Sequence, residues 1–200
     1  MRCSTLGLTV AAAWLYGSGF AACLDGQVEL GAGVGVTIWS DLVHDSIVET
    51  IEVGMEPGIA AFFRLGTPLD SNTSVSFRIG FSRTEMVRSE SGGTSNIATV
   101  VAWSPSVVLS RRVSAAVSFH AAVGIILYAS DQTIGTPFRG GEPSAPIVGG
   151  GVELALPSLP IFLSVDADAH RFGTSGLREA GFLSDRTVNR VSVTLGWVPQ

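Results

Sequence analysis

Residues Gln27 to Trp39 read QVELGAGVGVTIW. The even positions Val28, Leu30, Ala32, Val34, Val36 and Ile38 are apolar, whereas Gln27, Glu29, Gly31, Gly33, Gly35 and Thr37 are polar or very small. A side-chain period of two defines a strand with unlike faces. The run is long for a soluble strand, and a face made mostly of glycine with one carboxylate suits a crowded interior better than water. The apolar face is therefore expected to meet lipid and the small face to line a narrow lumen.

The alternation recurs along the rest of the chain. Ile59, Ala61, Phe63 and Leu65 alternate with Ala60, Phe62 and Arg64, and Val75, Phe77, Ile79 and Phe81 with Ser74, Ser76, Arg78, Gly80 and Ser82. Val101, Trp103, Val107 and Leu109 oppose Ala102, Ser104 and Ser106, with a bulge or distortion expected at Pro105, which lacks a ladder donor. Runs at 115–128, 148–156, 161–170 and 190–197 repeat the pattern, giving eight strands in all. Each is long enough for a tilted strand to cross a hydrocarbon layer. The connections TPLDSN (67–72), SRRVS (110–114) and PSLP (157–160) are tight, whereas 40–56, 84–96, 130–146 and 171–185 are expected to be long loops. Short turns at one rim and long loops at the other match an outer-membrane arrangement. The expected fold is all-β: an eight-stranded antiparallel up-and-down transmembrane β-barrel.

Met1, Arg2, the mainly apolar stretch Leu6 to Phe20 and the small residues Ala21 and Ala22 have the form of a secretory signal peptide over residues 1–22, leaving 23–200 as the barrel domain. Cys23 after Phe20-Ala21-Ala22 resembles a lipoprotein box, so lipidation of Cys23 is the alternative to simple cleavage. Only Cys3 and Cys23 carry thiols, which removes disulfide and thiolate chemistry from the body of the protein. Lysine is absent and the net charge is -5, so no nucleic-acid partner is expected. Mean hydropathy is +0.41 without a stretch after the leader that reads as a membrane helix, as a lipid-spanning barrel requires.

These features resemble the small eight-stranded outer-membrane β-barrels, the group with OmpX/Ail-like, OmpW-like, opacity-like and OmpA transmembrane members. The resemblance spans about residue 25 to 200 and includes Val191-Ser-Val-Thr-Leu-Gly-Trp197, which looks like the C-terminal signal read by the barrel assembly machinery; here Val198, Pro199 and Gln200 follow the aromatic residue. It implies a bacterial outer-membrane location, contact with outer-membrane lipids and lipopolysaccharide, and a monomer. A surface ligand held by the extracellular loops is part of the same expectation. The rival is a soluble barrel of lipocalin type with the apolar face inside. Against it, a watery strand surface is dressed with Lys, Glu, Thr and Gln, whereas this polar face carries mainly Gly, Ala and Ser with one or two ionisable groups per strand.

Those charges define the candidate site. Glu29, Arg64, Arg78, Glu153, Asp166, Asp168, His170 and Arg190 share the inward parity and form an expected interior ion-pair network, nearly balanced as enclosure demands. Asp166-x-Asp168-x-His170 also has the donors for a cation or a general base, yet the same spacing describes an ion-pair ladder, which is the preferred reading. His120 is expected to be an interior polar residue. No catalytic residue, metal ligand or cofactor is assigned. Trp39, Tyr128 and Trp197 are expected at the lipid–water interfaces. The expected role is a non-enzymatic surface or envelope protein, with a narrow channel for small or apolar solutes, or a lipid A-modifying enzyme, as the alternatives.

Overall fold

The computed structural model describes residues 28–41, 43–45, 51–90, 92–132, 144–156, 158–172 and 186–198. The expected leader, Cys3 and Cys23 lie outside them, as do most of the connections at 130–146 and 171–185. Among the described residues ten strands follow one another: β1 (Glu29–Trp39), β2 (Val43–Asp45), β3 (Ile51–Met55), β4 (Gly58–Pro68), β5 (Thr73–Glu90), β6 (Gly93–Arg112), β7 (Val117–Gln132), β8 (Ser144–Ala155), β9 (Ile161–Phe172) and β10 (Arg186–Trp197).

All pairings are antiparallel. Eight strands form a closed circuit in the order β1, β4, β5, β6, β7, β8, β9, β10 and back to β1. β3 prolongs β4 along the same neighbour, β5, and β2 pairs with β3. The eight expected strands are therefore present, and the first two continue beyond the ring as the β2–β3 ribbon. This gives hairpin form to the described part of the first connection, 40–56.

The second connection corrects the sequence reading. Residues 84–96 are not a long loop: β5 runs to Glu90 and β6 starts at Gly93, whose positive φ of 137° suits glycine at a tight turn. Ser89, Thr94, Ser95 and Asn96 look like loop residues by composition, but Ser89 pairs with Thr94 and Arg88 with Ser95 in the ladder. Pro105 keeps register with Ile79 on β5, whereas on its other side the β6–β7 ladder is interrupted at Ser104 and Pro105 and resumes at Ser106 in the same register, the local distortion expected of a residue without a ladder donor; a register shift also lies at Met86/Val87.

Parity is kept around the ring. Val34, Val36, Ile59, Phe63, Phe77, Trp103, Val107, Phe119, Val123, Val148, Leu163, Val193 and Leu195 all lie on the exterior and are well exposed. So large an apolar exterior is unsuited to water and matches the lipid-facing band of a transmembrane barrel. Inside, the opening segment explains its glycines. Gly31 faces Arg64 and Gly33 faces Phe62 in register. A Cβ at Gly31 would lie 2.7 Å from Arg64 Nε, and one at Gly33 would lie 2.5 Å from the Phe62 ring. Glycine on β1 is thus the space into which large inward side chains of β4 lean.

Candidate functional site

The inward side chains form stacked layers along the lumen. Nearest the short turns, Arg64 on β4 donates to Glu153 on β8. β4 and β8 stand on opposite sides of the eight-strand circuit, so this pair bridges the lumen. The Arg64 guanidinium also lies 4.8 Å from the centroid of the Phe162 ring.

In the next layer Arg78 on β5 donates to Asp166 on β9, again across the ring. The same carboxylate is 2.7 Å from His120 Nε2 and accepts from Ser164 Oγ at 2.7 Å. Gly151, in register with His120, leaves room for the imidazole: a Cβ there would lie 2.8 Å from His120 Nε2.

Above it, Arg190 on β10 donates through Nε and Nη2 to Asp168 Oδ2 at 2.9 and 2.7 Å. Its Nη2 also reaches Ser104 Oγ on the far side at 3.3 Å, and its Nη1 reaches Ser82 Oγ at 3.4 Å. His170 Nδ1 is 3.2 Å from the other oxygen of Asp168. The Asp166-x-Asp168-x-His170 run is thus divided between two layers, each carboxylate already paired with an arginine. Three arginines, Arg64, Arg78 and Arg190, stand against three carboxylates, Glu153, Asp166 and Asp168, which is how charge is tolerated in a narrow interior.

Glu29, assigned to the same network, is placed differently. It is exposed at the short-turn end, lining a polar vestibule with Asp70, Arg112 and Ser118, and no ion pair reaches it among the described residues. The vestibule, about 200 Å³, adjoins a recess of about 70 Å³ whose lining includes Arg64 and Glu153. Deeper in, a cavity of about 40 Å³ lies between the upper two layers, bounded by Arg78, Ser104, Asp166, Arg190 and Thr194. That is room for water but not for a solute of any size.

Two of the expected interface aromatics are corrected. Trp39 is 5% exposed and faces inward, with its ring 5.4 Å from His170 and 6.4 Å from Tyr128. Tyr128 also faces inward, 5.8 Å from His170. The cause is parity: position 39 continues the odd-numbered inward face of β1, and 128 the even-numbered inward face of β7. Trp197, by contrast, is exposed on the exterior beside the short turns.

Trp39 and Tyr128 belong to a cap that sequence reasoning missed. Met55, Met86, Val100, Ile126, Ile147 and Val188 join them over the Arg190 layer, and Met86, Ile126 and Val188 are fully buried. Part of the signal is present in the sequence, since Met86, Ile147 and Val188 continue the inward parity of β5, β8 and β10 past the expected strand ends and Ile126 holds it within β7; Met55 does not, because the inward parity changes between β3 and β4. The cap changes the lumen from charged to apolar at the long-loop end.

Comparison with solved structures agrees with this architecture. Ail, the attachment invasion locus protein of Yersinia pestis, in complex with the heparin analogue sucrose octasulfate, superposes with a TM-score of 0.52 at 9% identity, over 87% of this chain and 100% of that chain. OprG of Pseudomonas aeruginosa gives a TM-score of 0.48 at 10% identity over 86% and 95% of the two chains. Neisserial surface protein A gives 0.47 at 11% identity over 85% and 96%. No protein-family model and no curated protein sequence matches. With its closed antiparallel ring and apolar exterior, the chain has the fold of the small Ail/OmpX-like outer-membrane β-barrels.

Proposed function

We propose that this is a non-enzymatic, non-conducting integral outer-membrane protein that acts through the part of the barrel standing outside the membrane, in surface interaction or envelope structure. The observation that carries the reading is the state of the lumen. Two ion pairs cross it, Arg190 spans it from Asp168 to Ser104, and an apolar cap lies above them. A path for ions would need to part charged layers and then cross a dry constriction.

The exterior reach supports the second half of the reading. β5 and β6 are 18 and 20 residues long, about twice the 9–11 residues that a tilted strand needs to cross. Their upper halves, with the β2–β3 ribbon, form a sheet that outreaches the bilayer. Its exposed residues include Glu52, Glu85, Thr94, Ser95 and Asn96, a polar surface for a ligand or neighbouring envelope component. Outer-membrane lipids and lipopolysaccharide around the belt, assembly by the barrel machinery and a monomeric state complete the proposal.

Planar-bilayer recording tests it. The purified protein is expected to give no conductance steps above the lipid background in molar salt. Reproducible single-channel steps would replace this reading with the narrow-channel alternative.

A further inference from the structure

The three short turns at the vestibule end each expose a large apolar side chain where a turn in water would be polar. Leu69 is 61% exposed, Val113 57% and Leu159 53%. Two of these turns are built alike. Leu69 N and Asp70 N donate to Thr73 O, while the Asp70 carboxylate accepts from Asn72 N and Thr73 N. In the other, Val113 N and Ser114 N donate to Val117 O, while Ser114 Oγ accepts from Ala116 N and Val117 N. The side chain at the second position closes the turn, and the apolar residue before it is left pointing outward. Position 69 keeps the odd-numbered outward parity of β4, 113 that of β6, and 159 that of β9.

Continuity with the exterior says what covers them. On β4 the outward residues Ile59, Phe63 and Leu65 lead through Thr67 to Leu69, and on β6 Val107 and Leu109 lead through Arg111 to Val113, so the turn residues prolong the face that meets lipid. Arg111, exposed on the same outward face between Leu109 and Val113, puts a guanidinium beside this edge. A cation next to apolar anchors is the chemistry of a phospholipid headgroup boundary.

We propose that the turns carrying Leu69, Val113 and Leu159 are seated in the headgroup–acyl boundary of the periplasmic leaflet, as lipid anchors, with Arg111 facing lipid phosphate. The barrel would then sit low, with no rim standing in the periplasm. This deepens the lipid-facing reading of the exterior, on which it rests.

Spin labels test it in the full chain, inserted in phosphatidylethanolamine–phosphatidylglycerol vesicles, with Cys3 and Cys23 replaced by serine. Leu69→Cys, Val113→Cys and Leu159→Cys carry the label, Phe77→Cys serves as the belt reference and Ser95→Cys as the water reference. At all three turns, relaxation by oxygen is expected to exceed that by a water-soluble nickel chelate, as at position 77. Nickel exceeding oxygen at the turns, with position 77 still lipid-like, would overturn the seating and leave the barrel reading intact. A water-like position 77 would overturn both. As a second arm, Leu69→Trp, Val113→Trp and Leu159→Trp are each expected to add emission quenched by brominated lipid; unquenched added emission contradicts the seating.

Discussion

Arg64 and Glu153 face each other across the full width of the lumen, joining strands β4 and β8 that lie four places apart in the eight-strand circuit. Every ring strand is tied to its neighbours by main-chain ladders; this pair, like Arg78–Asp166, ties opposite walls. Removing one partner leaves a charge in a narrow interior without its counterion, at a cost on the order of 3 kcal/mol. Arg64→Met and Glu153→Gln are each expected to lower stability by that amount in urea unfolding from detergent micelles or vesicles. The double variant is expected to lose less than the sum, and strict additivity would show that the pair is not coupled.

Gly31 tests the packing logic of β1. A valine there must displace Arg64, whose Nε lies 2.7 Å from the position of the new Cβ. Gly31→Val is expected to destabilise by about 1–3 kcal/mol through overpacking, and Gly31→Val combined with Arg64→Ala to recover part of it. Unchanged stability in the single variant would mean that β1 and β4 do not have the register described.

Met86 probes the apolar cap, where it is fully buried against the other inward residues. Met86→Ala is expected to cost about 2–4 kcal/mol, the range for a large-to-small change in a packed core. Urea unfolding measures it; a change within about 0.5 kcal/mol would place this residue in a solvated loop instead.

Asp70 carries a pH signature. The N–H of Asn72, then the Thr73 side-chain hydroxyl and, more weakly, its N–H hold the carboxyl below the ordinary aspartate value. A carboxylate with a depressed folded pKa contributes stability that is complete above its unfolded pKa and is lost as the pH falls through the folded one. The Asp70 carboxyl resonance is therefore expected to titrate below pH 3.8, with protection of the Asn72 and Thr73 amides lost over the same range. A midpoint at or above the ordinary value would contradict the turn geometry.

Much of this was legible before the structure, because a strand's period of two is a strong signal when one face is lipid and the other a lumen. The inward parity of Arg64, Arg78, Glu153, Asp166, Asp168, His170 and Arg190 follows directly from their neighbours. What the alternation does not encode is which strand sits opposite which, so the Arg64–Glu153 and Arg78–Asp166 partnerships needed the ring. The cap is hidden in the sequence because polar stretches such as Ser89 to Asn96 look like loops and mask the strand ends that carry Met86 and its neighbours Met55 and Val188. As residue types Trp39 and Tyr128 read as interfacial aromatics, whereas their parity points inward. Glu29 shares that parity but stands one layer too near the vestibule to be paired.

The most direct test of the central claim, an eight-stranded barrel with its apolar face in lipid, is gel mobility in mild detergent with and without boiling. The account predicts that the protein needs detergent to stay dispersed, and that the unboiled sample runs as a compact β-rich band that shifts on boiling. A protein that remains soluble without detergent and shows one mobility under both conditions would contradict it.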